Sequence, residues 1–313
     1  MQNLRTLRQR IRSVRNTQKI TRAMQMVAGA KLRRSQEELH SFKPYAEALA
    51  RVAQRFLSAH PELQHPLLEP VMVRQAHHDR QSVRPEPVGG RTNSAPAGLV
   101  IVTSDTGLCG AYNEKVLSTA SAFRREFPSA VVVAVGKKGT RSLAHRGGVR
   151  TAKEIIGWGG RFDPADAGKL LEWLEAQYLE GRVSSWNVAT TRFLSALSWK
   201  PVVEQLLPAE RPQTVPGTGT VPGTDVLPEK FIVEPDAASF ADRLLRRQLR
   251  AQFSRILLEA FTAEHSARMV AMKNATENAD EMISSLTLVR NKARQAAITK
   301  ELIEVVSGAQ ALQ

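Results

Sequence analysis

The turn between residues 105 and 110 has the residue types that come closest to a chemical site. It reads Asp105-Thr106-Gly107-Leu108-Cys109-Gly110 and follows the apolar run Leu99 to Thr103. Glycines between a strand and a helix can present backbone N–H groups to a phosphate. However, no Gly-Lys-Ser or Gly-Lys-Thr follows, and the spacing does not match the dinucleotide fingerprint. Tight packing between a strand and a helix is therefore the better interpretation.

A single cysteine and a pair of histidines are the other residues with chemical potential. Cys109 would need a neighbouring base to act as a nucleophile, and nothing nearby in the sequence supplies one. His77, His78 and Asp79 resemble metal ligands, but no second cluster completes a site, and the Pro, Gly and Ser residues around them predict a solvated loop. We therefore predict no catalytic residue, no metal site and no cofactor.

The C-terminal quarter of the chain is the element around which the rest is organised. From Asp236 to Ser307 it contains neither glycine nor proline over 72 residues, which predicts one helix roughly 108 Å long. Apolar and small residues recur there at alternating steps of three and four, the pattern of a coiled-coil seam, although a long helix in a bundle is an alternative. The predicted seam consists of Met272, Ala275, Ala279, Met282, Leu286, Val289, Ala293 and Ala296.

The N-terminal arm predicts a second, basic seam helix. Residues 1–36 contain ten Lys or Arg and no Asp or Glu, within a chain of net charge +14. Pro44 is predicted to kink or restart the helix. The seam begins with Leu4, Leu7, Ile11 and Val14 and is then predicted to drift to Ile20, Met24 and Val27, followed by Leu32, Leu39 and Phe42.

Three interpretations of the basic arm remain open on composition alone. It could be an organelle transit peptide, a nucleic-acid arm that neutralises phosphates, or a basic helix that pairs with another helix and faces acidic protein. No aromatic residue precedes Phe42, so base stacking is unavailable to the arm. A basic coiled-coil nucleic-acid-binding protein is the alternative kept from this comparison.

The middle of the chain predicts a small α/β domain with a mostly parallel, Rossmann-like sheet. One cysteine excludes an internal disulfide, and the absence of a long apolar stretch predicts no membrane-spanning helix. Predicted strands are 99–103, 130–135, 186–197, 202–207 and a short 231–233, and predicted helices are 113–127, 137–145 and one that begins at Asp163-Pro164.

The predicted organisation is a coiled-coil helix, an α/β domain and a second, longer coiled-coil helix. The boundaries are 1–60 for the N-terminal helix, 61–97 for a loop insertion, 98–208 for the α/β domain, 209–230 for a loop and 231–313 for the C-terminal helix. The near-repeat at 214–225 lies in the second loop, where extra length costs little loop entropy.

Several stretches resemble the gamma subunit of F-type ATP synthases, and they occur in the order expected for that family. The departures are the loops at 65–97 and 214–225, neither of which interrupts a seam. The resembling stretches are 11–28, 30–36, 103–113, 201–208, 264–279, 286–302 and Gly308-Ala309.

The resemblance implies the central rotor of the synthase. The coiled coil would sit in the hexamer of alpha and beta subunits, and the α/β domain would lie against the epsilon subunit and the c-subunit ring. Rotation of the ring would then couple proton transport to ATP synthesis or hydrolysis, with no catalytic residue on this chain. The resemblance begins near Leu4, which favours a bacterial protein, peripheral to the cytoplasmic face of the cell membrane, over an organellar precursor.

Candidate contact residues follow from the resemblance and from the charge pattern. The first set groups the basic face of the arm, the coupling-sensitive position Met24 and the C-terminal tip, and we expect it to contact the hexamer. The second set is expected at the ring end. The first set is Arg8, Arg12, Arg15, Lys19, Arg22, Met24, Arg294, Gln295, Ile298 and Leu302, and the second is Lys31, Arg33, Arg34, Glu204 and Gln205.

Overall fold

The computed structural model describes residues 4–68, 95–147, 150–210, 233–234 and 236–310. Two compact units divide the chain: unit 1 contains residues 1–31 and 268–313, and unit 2 contains residues 32–267. The elements in chain order are α1 (Leu4–Ala59), β1 (Ala97–Val102), α2 (Tyr112–Glu126), β2 (Val131–Val135), α3 (Lys137–Gly147), β3 (Thr151–Ile155), α4 (Pro164–Leu179), β4 (Ser185–Ser195), β5 (Ser198–Leu207) and α5 (Ala237–Gln310).

A five-stranded sheet in the order β3-β2-β1-β4-β5 forms the centre of unit 2. The pairs β1–β2, β1–β4 and β2–β3 are parallel, and β4–β5 is antiparallel. This arrangement confirms the predicted mostly parallel α/β fold. β1 is buried along its whole length, as expected for a central parallel strand covered on both faces.

Side chains of α5 complete the core on one face of the sheet. Phe253, Ile256, Leu257 and Phe261 belong to the same buried cluster as Val100 of β1. Gly98 of β1 is required by this packing, because a Cβ there would overlap the ring of Trp186 on the neighbouring β4.

The strand predictions agree with the structure except at one edge of the sheet. The predicted strands at 99–103, 130–135, 186–197 and 202–207 correspond to β1, β2, β4 and β5, whereas β3 was not predicted. The expected strand at 231–233 lies outside the described residues apart from Val233, and so do most of the loops at 61–97 and 209–230. The five domain boundaries stay predictions.

Pro44 does not restart the first helix, so that part of the prediction was wrong, whereas the kink stays a prediction. α1 continues through Pro44 as one helix of 56 residues. Pro44 is exposed, so the carbonyl group that loses its helical donor can bond to water. Later in α1, Ala53 and Phe56 pack into the core of unit 2, and this burial offsets the cost of the proline.

The predicted C-terminal helix is continuous. α5 extends over 74 residues, and Asp236 caps its start, since the Asp236 carboxylate accepts a hydrogen bond of 2.8 Å from the backbone N–H of Ser239. Among the described residues, no helix is both long and apolar enough to cross a membrane.

Candidate functional site

The turn at residues 105–110 is closed by its own carboxylate. Asp105 accepts hydrogen bonds from the backbone N–H groups of Lys137 (3.0 Å), Gly157 (3.1 Å) and Gly159 (2.6 Å). These are the donors that a phosphate would need at the start of α3 and in the β3–α4 loop. The Asp105 carboxylate already accepts their hydrogen bonds. It therefore connects its own turn to the start of α3 and to the β3–α4 loop at the carboxyl edge of the sheet.

Cys109 is buried between an apolar cluster, which includes Tyr112, and the polar side chains of Ser104 and Asn113. It is 2% exposed, and its sulfur lies 3.7 Å from the hydroxyl of Ser104 and 3.2 Å from the side-chain amide of Asn113. Neither neighbour can take its proton, so the contacts around the thiol are those of a packed side chain. The part of the chain that the structure describes holds no cluster of three metal-ligating residues. His77, His78 and Asp79 lie outside that part.

In unit 1, α1 and α5 pair through a seam of strict three-and-four spacing. Thr21 and Thr276 meet in this seam with hydroxyl oxygens 2.8 Å apart, and the side-chain amide of Gln18 donates to Asp280. The stripe on α1 that is at least partly shielded consists of Leu4, Leu7, Ile11, Val14, Gln18, Thr21, Gln25 and Ala28. The pairing of Thr21 with Thr276 and of Gln18 with Asp280 makes the two helices antiparallel.

The predicted drift of the α1 seam to Ile20, Met24 and Val27 is wrong, because polar residues keep the original spacing there, whereas Leu32 and Leu39, which were expected to follow, are buried. Ile20 is 60% exposed, and Met24 and Val27 are exposed beside it. The α5 seam differs from the prediction at three of its eight positions, because Met282, Val289 and Ala296 are exposed and their C-terminal neighbours Ile283, Arg290 and Ala297 are partly shielded instead. The other five predicted residues are at least partly shielded, namely Met272, Ala275, Ala279, Leu286 and Ala293, and Thr276 is buried beside Ala275.

The predicted hexamer-contact residues are exposed in unit 1. Met24 is 40% exposed, Ile298 is 49% exposed and Leu302 is 61% exposed, which are high values for apolar side chains. Beyond Arg294 in α5, only Ala297 among the described residues through Ser307 is partly shielded. The polar members are also exposed, namely Arg8, Arg12, Arg15, Lys19, Arg22, Arg294 and Gln295.

The predicted ring-end residues are divided between the two units. Lys31 belongs to unit 1, and Arg33, Arg34, Glu204 and Gln205 belong to unit 2. The three basic residues are exposed, and Arg34 pairs with Glu38 one turn further along α1 at 3.3 Å. Glu204 and Gln205 are neighbours on β5, and Arg33 and Arg34 are neighbours on α1.

Glu204 is held inside unit 2 by two arginines. Its carboxylate lies 2.7 Å from Arg192 of β4 and 2.7 Å from Arg255 of α5, and its side chain is 12% exposed. Burial by itself raises the pKa of Glu204, but the hydrogen bonds and charges of Arg192 and Arg255 outweigh it, so the pKa lies below its ordinary value. Arg255 also pairs with Glu259 at 2.8 Å.

Gln205 is engaged on both its backbone and its side chain. Its backbone carbonyl accepts a hydrogen bond of 2.9 Å from Gln252 of α5, and its side-chain amide donates to the carbonyl of Pro208 at 2.8 Å. Sequence reasoning did not single out Gln252 or Arg255. Their spacing with Glu259, three and then four residues along one helix face, is the signal that was available.

Comparison with known proteins decides the family. Residues 3–312 match the profile of a family described as ATP synthase. An ATP synthase gamma chain from Moorella thermoacetica is 39% identical over the full length of both chains, and one from Ralstonia nicotianae is 37% identical, again with full coverage of both. The chain belongs to the ATP synthase gamma-chain family.

Solved structures with a similar fold include rotor and stalk subunits of mitochondrial ATP synthases. A chain of the Euglena gracilis ATP synthase rotor matches with a TM-score of 0.60 at 16% identity and covers 94% of this chain and 98% of its own. A chain of the Tetrahymena thermophila central stalk and c-ring matches with a TM-score of 0.54 at 18% identity and covers 82% and 99%, respectively. At these identities the likeness shows the fold. None of these relatives is described as binding nucleic acid, so the alternative kept for the basic arm gains no support.

The Asp105 turn and Cys109 both make contacts that stabilise the fold. Unit 1 contributes a polar contact in the seam between α1 and α5 and exposed apolar side chains on both helices.

Proposed function

We propose that this chain is the central-stalk rotor subunit of a bacterial F-type ATP synthase. It transmits rotation of the membrane c-ring to the hexamer of alpha and beta subunits and so couples proton transport to ATP synthesis or hydrolysis. The observation that carries this proposal is α5, a helix of 74 residues without a break whose last turns expose apolar side chains such as Ile298 and Leu302. A continuous helix has no hinge to absorb torque, and exposed apolar side chains need an enclosing partner.

The catalytic sites lie on the beta subunits, and this chain acts on them through contact. Each orientation of an asymmetric rotor touches each beta subunit differently, and the difference in contact free energy shifts that site between open and closed states. The exposed basic residues of α1, from Arg8 to Arg22, face acidic loops of the hexamer through loose, screened pairs that exchange during rotation. Met24 lies among them as a coupling contact.

The proposed partners are the alpha and beta subunits, the epsilon subunit and the c-ring. Two structural relatives support partnership within such a complex, since one belongs to a central stalk with a c-ring and the other to an assembly of OSCP, F1 and c-ring. Lys31, Arg33 and Arg34 are the proposed contacts at the ring end. Glu204 and Gln205 act there by holding β5 in place, because both are engaged within unit 2. As part of this complex, the chain is proposed to lie at the cytoplasmic face of the bacterial membrane as a peripheral protein.

Co-purification tests the proposal. A tagged copy of the chain, expressed with the other subunits, is expected to bring down alpha and beta subunits and to restore coupled ATPase activity to a complex that lacks its gamma subunit. Ile298→Asp with Leu302→Asp is expected to weaken retention of the hexamer, because it places charges on the apolar tip. Thr299→Asp with Lys300→Asp, on neighbouring exposed positions, is the matched control and is expected to retain it. Salt-dependent binding of DNA without any hexamer would overturn the proposal.

A further inference from the structure

We propose that a set of directional contacts fixes the sheet of unit 2 to α5 against twisting, and that these contacts are the positioning residues for torque transfer. This inference rests on the proposed rotor function. The donors of the contacts, here called the clamp, are the side chains of Tyr112, Gln252, Arg255, His265 and Ser266.

The lower part of the clamp joins β5 to α5. Gln252 donates to the backbone carbonyl of Gln205 at 2.9 Å, and Arg255 donates to the carboxylate of Glu204 at 2.7 Å. Both donors lie on α5, and both acceptors belong to adjacent residues of the antiparallel edge strand. This part of the clamp therefore holds one edge of the sheet at two neighbouring points.

The upper part joins α5 to loops at the carboxyl edge of the sheet. His265 is 2% exposed and donates from Nε2 to the carbonyl of Gly160 at 2.9 Å. Ser266 donates to the carbonyl of Ala196, in the turn between β4 and β5, at 2.6 Å. Close contact is built in at Gly160, because a Cβ at this residue would meet the His265 ring.

In the contact of Tyr112, α5 supplies the acceptor and not the donor. The Tyr112 hydroxyl, at the start of α2, donates to the backbone carbonyl of Ala260 on α5 at 3.0 Å, and it accepts from Thr191 of β4 at 3.4 Å. The α5 atoms of the clamp thus span residues 252–266, which is roughly 21 Å of helix. Their partners come from β5, α2, the β3–α4 loop and the β4–β5 turn.

Apolar packing alone would not resist torque as well as these contacts do. α5 also packs on the sheet through Phe253, Leu257 and Phe261, but the attraction between apolar surfaces is non-directional. Hydrogen bonds weaken steeply when their angle or distance changes, and a charge-assisted pair such as Glu204 and Arg255 is stronger than a neutral one. Rotation of the sheet about α5 would misalign all five contacts together, so their stiffness adds.

Angular fluctuations of single complexes test the clamp. The hexamer is immobilised, and a bead is attached to the sheet of unit 2 through Ser121→Cys, an exposed position on α2 that does not compete with the buried Cys109. The test variant combines Tyr112→Phe, Gln252→Leu and Ser266→Ala, which removes three of the five contacts and keeps the shape of each side chain. If the contacts act as equal springs in parallel, the angular variance of the bead rises up to about 2.5-fold.

The matched control removes hydroxyl contacts that lie within a helix or at its start. Ser58→Ala and Thr119→Val each delete a bond to a carbonyl group of the same helix, and Thr140→Val deletes a bond to Gly136, the residue just before α3. The control is expected to leave the variance unchanged. If the triple variant does not assemble, Tyr112→Phe with Ser266→Ala is measured in the same way, with an expected rise of up to about 1.7-fold on the same reasoning.

The outcomes separate the clamp from the rotor proposal. If the wild-type chain never joins alpha and beta subunits, the rotor proposal fails. If the wild type assembles and rotates, and the clamp variant shows the same variance as the control, the clamp is overturned while the rotor proposal stands. A lower melting temperature with unchanged variance would also overturn it, because a role confined to folding moves only the melting temperature.

Discussion

Glu204 of β5 and Arg255 of α5 form an ion pair in which Oε2 and Nη2 lie 2.7 Å apart, although 51 residues separate them in sequence. The pair is mostly shielded from water, with side-chain exposures of 12% and 22%. Arg192 binds the second carboxylate oxygen, so the three residues link β4, β5 and α5.

Removal of the Glu204 charge is expected to destabilise unit 2. Glu204→Gln leaves Arg192 and Arg255 without their shared counter-ion, which is expected to lower the free energy of unfolding by about 1–3 kcal/mol, between the values typical of exposed and of buried pairs. Urea denaturation at neutral pH measures this change. Glu37→Gln, at an exposed site on α1, is the control and is expected to have little effect. Equal stability of the two variants would show that the pair contributes nothing.

The same carboxylate makes stability depend on pH. Because the pKa of Glu204 is lower in the folded protein than its ordinary value of 4.5, its stabilisation is present above that value. The stabilisation is lost as the pH falls through the folded-state pKa. We therefore expect the stability difference between the wild type and Glu204→Gln to shrink as the pH falls below about 4.5. A difference that stays constant from pH 7 into the acid range would contradict the assigned direction of the shift.

Asp105 is expected to hold the carboxyl edge of the sheet together. Asp105→Ala removes the acceptor for the N–H groups of Lys137, Gly157 and Gly159, at a cost of roughly 1–3 kcal/mol. Hydrogen exchange at these three amides should accelerate relative to the rest of the sheet. Asp163→Ala is the matched control, because Asp163 accepts from Ala165 and Asp166 at the start of α4 and its loss should affect only that helix. Unchanged exchange at Gly157 and Gly159 in Asp105→Ala would refute the assignment.

Gly136 and Gly157 have similar positive φ angles but different surroundings, so their substitution distinguishes backbone strain from steric overlap. Gly136 and Gly157 have φ angles of +95° and +101°, but a Cβ at Gly136 would overlap the backbone of Thr103, whereas nothing lies within 4 Å of a Cβ at Gly157. Gly157→Ala is expected to cost about 1–2 kcal/mol through strain alone. Gly136→Ala is expected to cost clearly more, or to prevent folding, because backbone atoms must move. Thermal unfolding of both variants measures the difference, and similar losses would mean that the packing at Gly136 relaxes freely.

The sequence predicted long helices and buried strands well because their signals are local. The absence of glycine and proline from α5 and the apolar run of β1 each lie within one stretch of chain. β3 was missed because Thr151–Ile155 is short, contains Lys153 and Glu154, and is half-exposed at the sheet edge. Pro44 was misjudged because its penalty is local, whereas the packing that offsets it comes from the rest of unit 2.

The seam shows why the contact surface could not be predicted in the same way. Ile20, Met24 and Val27 were expected inside because they are apolar, but Thr21 and Gln18 occupy the seam and the apolar residues lie outside. Gln18 and Thr21 lie in the seam because they bond to Asp280 and Thr276, which are more than 250 residues away in the sequence. Glu204 is a similar case, since its partner Arg255 cannot be recognised from the sequence of β5 alone. Periodicity locates a helix face, but it does not reveal which face has a bonding partner.

Thr21 and Thr276 therefore offer a direct test of the polar seam. Each hydroxyl also lies within hydrogen-bond distance of a carbonyl of its own helix, Gln18 at 3.0 Å and Met272 at 2.8 Å, and one of the two must donate across the seam to account for their 2.8 Å separation. A single Thr→Val change at either residue leaves the other buried hydroxyl with one partner fewer. The double change replaces both by methyl groups of the same shape, which is nearly neutral when two bonded partners are removed together.

We expect Thr21→Val and Thr276→Val each to lower the free energy of unfolding by about 1 kcal/mol. The double variant is expected to lower it by less than the sum of the two single changes. These proteins and the wild type form a double-mutant cycle. Hydrogen exchange of α1 amides around residue 21 and chemical denaturation of the whole chain both measure the stability of each member. Thr17→Val is the matched control, because the Thr17 hydroxyl is exposed and bonds only within α1 to Ser13 in the contacts described. Additive losses would show that the two hydroxyls act independently, and the cross-seam bond would then make no contribution to the pairing of α1 with α5.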